Sequence, residues 1–381
     1  MKREPHSNQE TQNNPSRNIP DIQIINLDNN GKTDSNTEIL MESDEETPTD
    51  QEPERNGFHI STHTAMHLAL LAVVVIVIIV VINRIGKIGQ FISQEDIFKD
   101  GEGTYDNTFD QFLPAIDADG NVIVTETGKD LTILMLGNSP LSDDKDSEDG
   151  LANMIAARTG ANVINCAISG SYMAAEQPNF YYNGQSYMDA YTPYWLSVLT
   201  CTDKIDNYYS AAAEALGEDI PPEAEEVFET LSTLDMNTVD VIAFMYDGTD
   251  YLMGHGMYNL EDSTDIQQFN GNLTASIELI QEYFPHIRII VMSPAYAFGI
   301  NKNGEYISSD IQTYGQEFLS TYFYMEMLSC VDMGVTFVDN LYGTINEDIA
   351  SKYLSDNIHL NVEGRKLMAD RFIYALTYFD S

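Results

Sequence analysis

Leu131-Thr132-Ile133-Leu134-Met135-Leu136-Gly137-Asn138-Ser139 decides how this chain reads. Its first six residues are apolar or β-branched and follow Gly128-Lys129-Asp130, the pattern of a strand buried on both faces of a parallel sheet. Gly137 permits a sharp turn, and Pro140 directly after Ser139 stops further ladder pairing. Open α/β sheets carry their chemistry in the crevice outside the carboxyl ends of the strands. Ser139 therefore stands where a nucleophile would be displayed.

Outward from this strand the pattern alternates. Further strands are predicted over 162–167, 239–246, 288–293 and 335–339, separated by helical patterns at 147–157, 265–284, 313–333 and 362–378. Strands alternating with helices at this spacing predict an α/β, flavodoxin-like three-layer fold with a five-stranded parallel sheet, over residues 129–381. The stretch 168–238 is too long for one crossover. It leaves from the carboxyl end of the second strand, so it is expected as an insertion able to cover the site as a lid. It carries Phe180-Tyr181-Tyr182, Tyr187, Tyr191, Tyr194-Trp195 and Tyr208-Tyr209, either a sugar platform or ordinary aromatic packing.

Before the sheet the chain changes character. Residues 1–64 are rich in Asn, Asp, Glu, Ser, Thr and Pro with no apolar period, and read as a disordered polar tail. From Ala65 to Ile82 no charged residue interrupts the apolar run, long enough for one transmembrane helix over 65–83 and a contact with the lipid bilayer. Residues 84–128 read as a linker or stalk. Arg84 and Lys87 follow the span and only Arg55 lies near before it, a bias toward a cytoplasmic carboxyl side. Tethers of this kind nevertheless serve to hold domains at a cell surface, and the domain is expected on the extracytoplasmic side of the cell membrane.

Lys and Arg number 18 against 60 Asp and Glu, a formal net charge of −42. Such a surface repels phosphate backbones, which excludes nucleic acid as a partner. Cys166, Cys201 and Cys330 are too few and too scattered for a disulfide framework or a zinc site. Asp143, Asp144 and Asp146 read as a solvated acidic loop, and no metal or cofactor is expected.

Near the carboxyl terminus, Leu354-Ser355-Asp356-Asn357-Ile358-His359 precedes the last helix. Asp356 and His359 let one short segment supply a general base and the carboxylate that orients it. The rival histidines are weaker. His286 opens a strand and so belongs to the wrong end of the sheet. His255 reaches the right edge, but its flanking glycines Gly254 and Gly256 leave it little reason to hold one rotamer. The segment Gly137-Asn138-Ser139-Pro140-Leu141 is not a Gly-x-Ser-x-Gly elbow, and neither a His-Glu-x-x-His zinc motif nor a phosphate-cradling glycine loop occurs.

These blocks resemble the SGNH/GDSL hydrolase superfamily, with Gly137-Asn138-Ser139 similar to its first block and Asp356-x-x-His359 to its last. Asn165-Cys166-Ala167-Ile168-Ser169-Gly170-Ser171 looks like the glycine block, and Tyr246-Asp247-Gly248-Thr249-Asp250 like the third. The resemblance implies Ser139 as nucleophile, His359 as base, Asp356 as its orienter, and an oxyanion hole from the N–H groups of Ser139 and Gly170. The chain departs from the family at Asn138, where the family has Asp, and in the third block, which lacks the family's asparagine. There either Asp250 replaces the asparagine in the oxyanion hole or that donor is missing. The implied function is a membrane-anchored serine esterase removing acyl groups such as O-acetyl from surface glycans or related esters. The alternatives are an acyltransferase, or a catalytically weakened relative that binds glycan or a partner at the cell surface.

Overall fold

The computed structural model describes residues 108–116, 121–123, 131–178, 181–182, 185–186, 188–202, 220–315 and 317–380. The polar tail and membrane helix expected at 1–64 and 65–83 lie outside these residues, as does most of the stretch 84–128. Among the described residues no helix is long and apolar enough to cross a membrane.

The central strand β1 (Thr132–Gly137) forms where its apolar run predicts, with Ile133, Leu134 and Met135 wholly buried. It is flanked in parallel by β2 (Asn162–Asn165) and β3 (Val241–Met245), and β4 (Arg288–Met292) and β5 (Thr336–Val338) continue the sheet beyond β3. The order is 2-1-3-4-5, the doubly wound arrangement whose strand order reverses between β1 and β3. A crevice for ligand is expected at that switch point.

The longer helices among the described residues are α1 (Leu151–Thr159), α2 (Pro193–Cys201), α3 (Ala224–Thr233), α4 (Phe269–Tyr283), α5 (Leu319–Met333) and α6 (Val362–Thr377). α1 packs on α6, and α4 packs against both α2 and α5. Right-handed crossovers put the two groups on opposite faces of the sheet.

Three helices begin later than periodicity suggests, two through local competition for backbone hydrogen bonds and one through a left-handed glycine. Ser147 Oγ accepts from the Asp149 N–H at 3.1 Å and delays α1. Asp265 accepts from the Gln267 N–H at 3.0 Å and delays α4. Gly315, at φ +115°, is left-handed and keeps the chain from turning helical before Phe318 and Leu319.

Within the stretch expected as linker, residues 108–113 run along the outer edge of β5. Gln111 and Phe337 exchange backbone hydrogen bonds of 2.9 and 2.8 Å, which covers an edge otherwise open to pairing. Asp110 accepts from the Asp339 N–H at 2.8 Å and pairs at 2.5 Å with Arg371, a wholly buried side chain of α6. In the insertion, Tyr191 is fully buried and meets Phe228 edge-on at 5.6 Å, so this aromatic is core packing. Phe180, Tyr187, Tyr208 and Tyr209 lie outside the described residues.

Candidate active site

Ser139 opens a short helical turn, Ser139–Ser142, immediately after β1. Register explains the glycine before it: Gly137 lies opposite Met245, and a Cβ at Gly137 would sit 2.1 Å from the Met245 carbonyl oxygen. Only glycine lets β1 and β3 approach this closely at their carboxyl ends.

Asn138 ties together the loops that follow β1, β2 and β3. Its Nδ2 donates to the Ser171 carbonyl and to Asp247 Oδ1, both at 2.9 Å, and its Oδ1 accepts from the Asp247 N–H at 2.9 Å. The side chain is 1% exposed and satisfied on both its oxygen and its nitrogen. Asparagine can donate to a carbonyl and a carboxylate together; an ionised Asp here has no N–H to give.

The hydroxyl of Ser139 donates to Oδ2 of Asp247. Asp247 is buried, and its Oδ1 also accepts from the Thr249 N–H at 3.0 Å and the Thr249 hydroxyl at 2.6 Å. The sequence blocks assign this carboxylate no role. The signal that would have found it is its place just beyond β3, beside β1 across the switch point.

His359 and Asp356 form the local pair that their spacing predicts. The ring Nδ1 lies 2.6 Å from Asp356 Oδ2, while Oδ1 accepts the N–H groups of His359 at 2.8 Å and Ile358 at 2.9 Å. Burial works to raise the Asp356 carboxyl, but these bonds outweigh it and hold the group below the usual carboxylate range. Partial burial likewise pulls His359 down, and the hydrogen bond and charge of Asp356, with the charges of Asp143 and Asp247, outweigh it and raise the imidazole above its usual value. His359 thus feels the same carboxylate that holds the Ser139 hydroxyl. The structure brings Ser139, Asp247, His359 and Asp356 to one edge, with the hydroxyl turned to Asp247.

Arg365, in the first turn of α6, fastens the two halves of this edge. Its guanidinium donates to the Leu360 carbonyl at 2.9 Å, to the Asp149 carbonyl at 2.8 Å and to Asp144. The loop after β1 is thereby joined to the segment that presents His359. Asn361 caps α6, accepting the Gly364 N–H at 3.0 Å. The acidic loop is therefore partly spent on structure, and among the described residues no three His, Cys, Asp or Glu side chains are grouped to hold a metal ion.

Gly170 sits in a left-handed turn at φ +70°, exposed, one residue before the carbonyl that Asn138 holds. Among the described hydrogen bonds, neither the N–H of Ser139 nor that of Gly170 has an acceptor. Asp250 is directed elsewhere. Its oxygens accept from the N–H groups of Met173 and Ala174 and meet His255 Nδ1, all at 2.8 Å, so it is Asp247 that meets Ser139. Asp250 pins the loop that follows Gly170.

His255 is not loosely held, contrary to the expectation from its flanking glycines. Besides Asp250, the ring of Tyr172 meets it edge-on at 4.8 Å, and the Tyr322 hydroxyl donates to its carbonyl at 2.5 Å. Burial lowers this imidazole, and the Asp250 bond and charge more than reverse the effect. His286 lies before the amino end of β4, packed against Phe284, and takes no part in the site. Cys166, Cys201 and Cys330 are buried free thiols.

No family model matches the chain, and no curated protein sequence matches it significantly. Solved structures resemble it at a distance. A protein from Bacteroides fragilis assigned as an acylhydrolase is 13% identical, with a TM-score of 0.36, over 71% of this chain and 92% of that one. One from Slackia heliotrinireducens assigned to the SGNH hydrolases is 14% identical, with a TM-score of 0.33, over 65% of this chain and 98% of that one. Est24, a carbohydrate acetylesterase from Sinorhizobium meliloti, is 13% identical, with a TM-score of 0.33, over 64% and 98%. At these identities and TM-scores the likeness carries no information about chemistry.

Proposed function

We propose that the chain is a serine ester hydrolase of the SGNH/GDSL kind, held at a membrane by residues 65–83 with its domain outside the cell, removing acyl groups such as O-acetyl from surface glycans. The observation that supports this reading is a buried serine at the carboxyl end of β1 with, at the same edge of the sheet, a histidine paired to a carboxylate. In the reaction, Ser139 Oγ attacks the acyl carbonyl and its proton passes to the free ring nitrogen of His359. Asp356 keeps Nδ1 protonated and stabilises the imidazolium, and the N–H groups of Ser139 and Gly170 receive the oxyanion. Collapse expels the alcohol, which takes the proton from His359. Water, deprotonated by the same imidazole, then releases the acid and restores Ser139.

Asp247 shapes the first step. With the hydroxyl given to its carboxylate, the Ser139 proton must be released from Asp247 and turned toward His359 before attack. The same observation favours a second reading, a slow relative that binds esters or glycan and turns them over weakly. A fluorophosphonate probe separates the two. Labelling of the full-length protein that disappears in Ser139→Ala is the result expected. A folded protein that takes no label would refute the hydrolase and leave the binder.

A further inference from the structure

A cavity of about 240 Å³ lies at the same edge of the sheet, between the loops that follow β4 and β5 and the start of α5. Tyr296 comes from the first loop, Tyr342 and Glu347 from the second, and Ser309 and Asp310 from the segment before α5. The wall containing Tyr296 continues to Phe298, which exchanges hydrogen bonds of 3.0 Å with Asn357, two residues from His359. The cavity is therefore a neighbour of the candidate active site and separate from it.

Two features set this cavity apart. Asp310, Glu347 and Asp348 surround it, and among the described residues none of the three is in an ion pair. The hydroxyl of Tyr306 holds Glu347 below the usual carboxylate range against its partial burial, so an anion is maintained at the wall. Deeper in, Ser309 is 1% exposed and its hydroxyl has no hydrogen-bond partner. The Oδ1 of Asn346, also on the wall, is buried and equally without one. A buried polar atom left unpaired costs about 1–3 kcal/mol, which a ligand able to bond to it would recover.

We infer that this cavity binds a primary ammonium group carried by a small molecule. The carboxylates supply the charge, and the orphaned oxygens of Ser309 and Asn346 call for N–H donors. A metal ion fits less well, because the carboxylates do not converge: no three such side chains are grouped to hold one among the described residues. A volume of about 240 Å³ lies below the range of about 300–1,000 Å³ usual for drug-sized ligands, so the group belongs to a small amine or to one end of a larger molecule.

The test is calorimetric titration of the full-length protein with ethanolamine, and with 1-propanol as its neutral counterpart. Ethanolamine binds, 1-propanol does not, and neutralising the wall in Asp310→Asn/Glu347→Gln weakens ethanolamine by about tenfold or more, the equivalent of one charge-assisted contact. Both positions are at the surface, so the melting temperature of the variant should be unchanged, and Asp348→Asn serves as a second variant. Equal binding of 1-propanol, indifference to both variants, or calcium binding in place of ethanolamine would overturn the inference. The source of the amine is read separately by comparing turnover of 6-aminohexyl acetate with hexyl acetate. A preference for the amine that the double variant abolishes assigns the group to the substrate. Binding of ethanolamine without such a preference assigns it to a separate molecule. Calorimetry needs no turnover, so failure of the esterase reading leaves this result standing.

Discussion

Replacing Asp247 by asparagine tests the chemistry at its least orthodox point. The substitution keeps the shape of a side chain that is 5% exposed. It also preserves an oxygen for the Asn138 amide at 2.9 Å and the Thr249 hydroxyl at 2.6 Å. What changes is the atom facing Ser139. An acceptor that holds the serine proton becomes an N–H donor, and a negative charge beside the reacting centre is removed. Two Coulomb effects then oppose each other. At about 5 Å and an effective dielectric constant of about 20, the carboxylate repels the developing oxyanion by about 3 kcal/mol and attracts the His359 imidazolium by a similar amount. They nearly cancel. What remains is the donor, and a well-placed oxyanion donor is worth about 10²–10³ in turnover. An amide whose position was not shaped for that role should deliver part of this, a rise of about tenfold or more in kcat.

The assay is steady-state hydrolysis of 4-nitrophenyl acetate by the wild type and Asp247→Asn, with Asp247→Ala to separate loss of charge from gain of a donor. The alanine variant should gain less than the asparagine variant, because it offers no N–H and leaves the Asn138 and Thr249 donors unpaired. Because Asp247 contributes to the raised pKa of His359, both variants should also move the acid limb of the pH profile downward. A fall of tenfold or more in Asp247→Asn, with the acid limb unmoved, would refute the reasoning. Asp247 would then be the group that takes the serine proton, and His359 a bystander.

The remaining predictions concern the base, the loop, the strap and the membrane. His359→Ala should remove nearly all ester turnover and His255→Ala far less; the reverse order would show that the last sequence block had been misread. A protonated His359 cannot accept the serine proton, so turnover should rise with pH through a midpoint above 6.5, the ordinary value from which this imidazole is raised; Asp356→Asn should lower the midpoint, as rate profiles will report. Asp250→Ala strands the N–H groups of Met173 and Ala174 and should cost about 1–3 kcal/mol for each buried donor left unpaired, read by urea unfolding, together with a loss of kcat as the Gly170 turn loosens. Asp110→Ala removes the carboxylate paired with the buried Arg371 and should cost about 3–5 kcal/mol; a loss under about 1 kcal/mol would mean that the strap along β5 is not integral to the domain. Protease added to intact cells should digest the domain and spare the N-terminal tail, and the opposite pattern would reverse the proposed orientation.

What was legible in the sequence was what local contacts determine. β1, β3, β4 and β5 showed because they are buried on both faces almost throughout and so are largely apolar, whereas the edge strand β2 is only partly buried. The Asp356–His359 pair showed because both members lie within one short loop, three residues apart. The strap was illegible for the opposite reason: its anchoring pair, Asp110 and Arg371, is separated by 261 residues, and no period links them. Helix starts were misplaced where one side-chain oxygen captured a backbone N–H, as Asp265 does before α4.

Asp247 is the instructive case between these extremes. Its meeting with Ser139 spans 108 positions and depends on one register, Gly137 opposite Met245, in two parallel strands that the sequence did reveal. Because side chains alternate faces along a strand, a slip of one residue would turn the residues beyond β3 to the other side of the sheet and carry Asp247 away from the hydroxyl. Glycine at 137 guards that register, since a Cβ there would collide with the Met245 carbonyl. The glycine that first marked the serine as displayed is thus also what brings the unforeseen carboxylate to it. Strand assignment alone names the residues near a switch point, but only register tells which of them face one another.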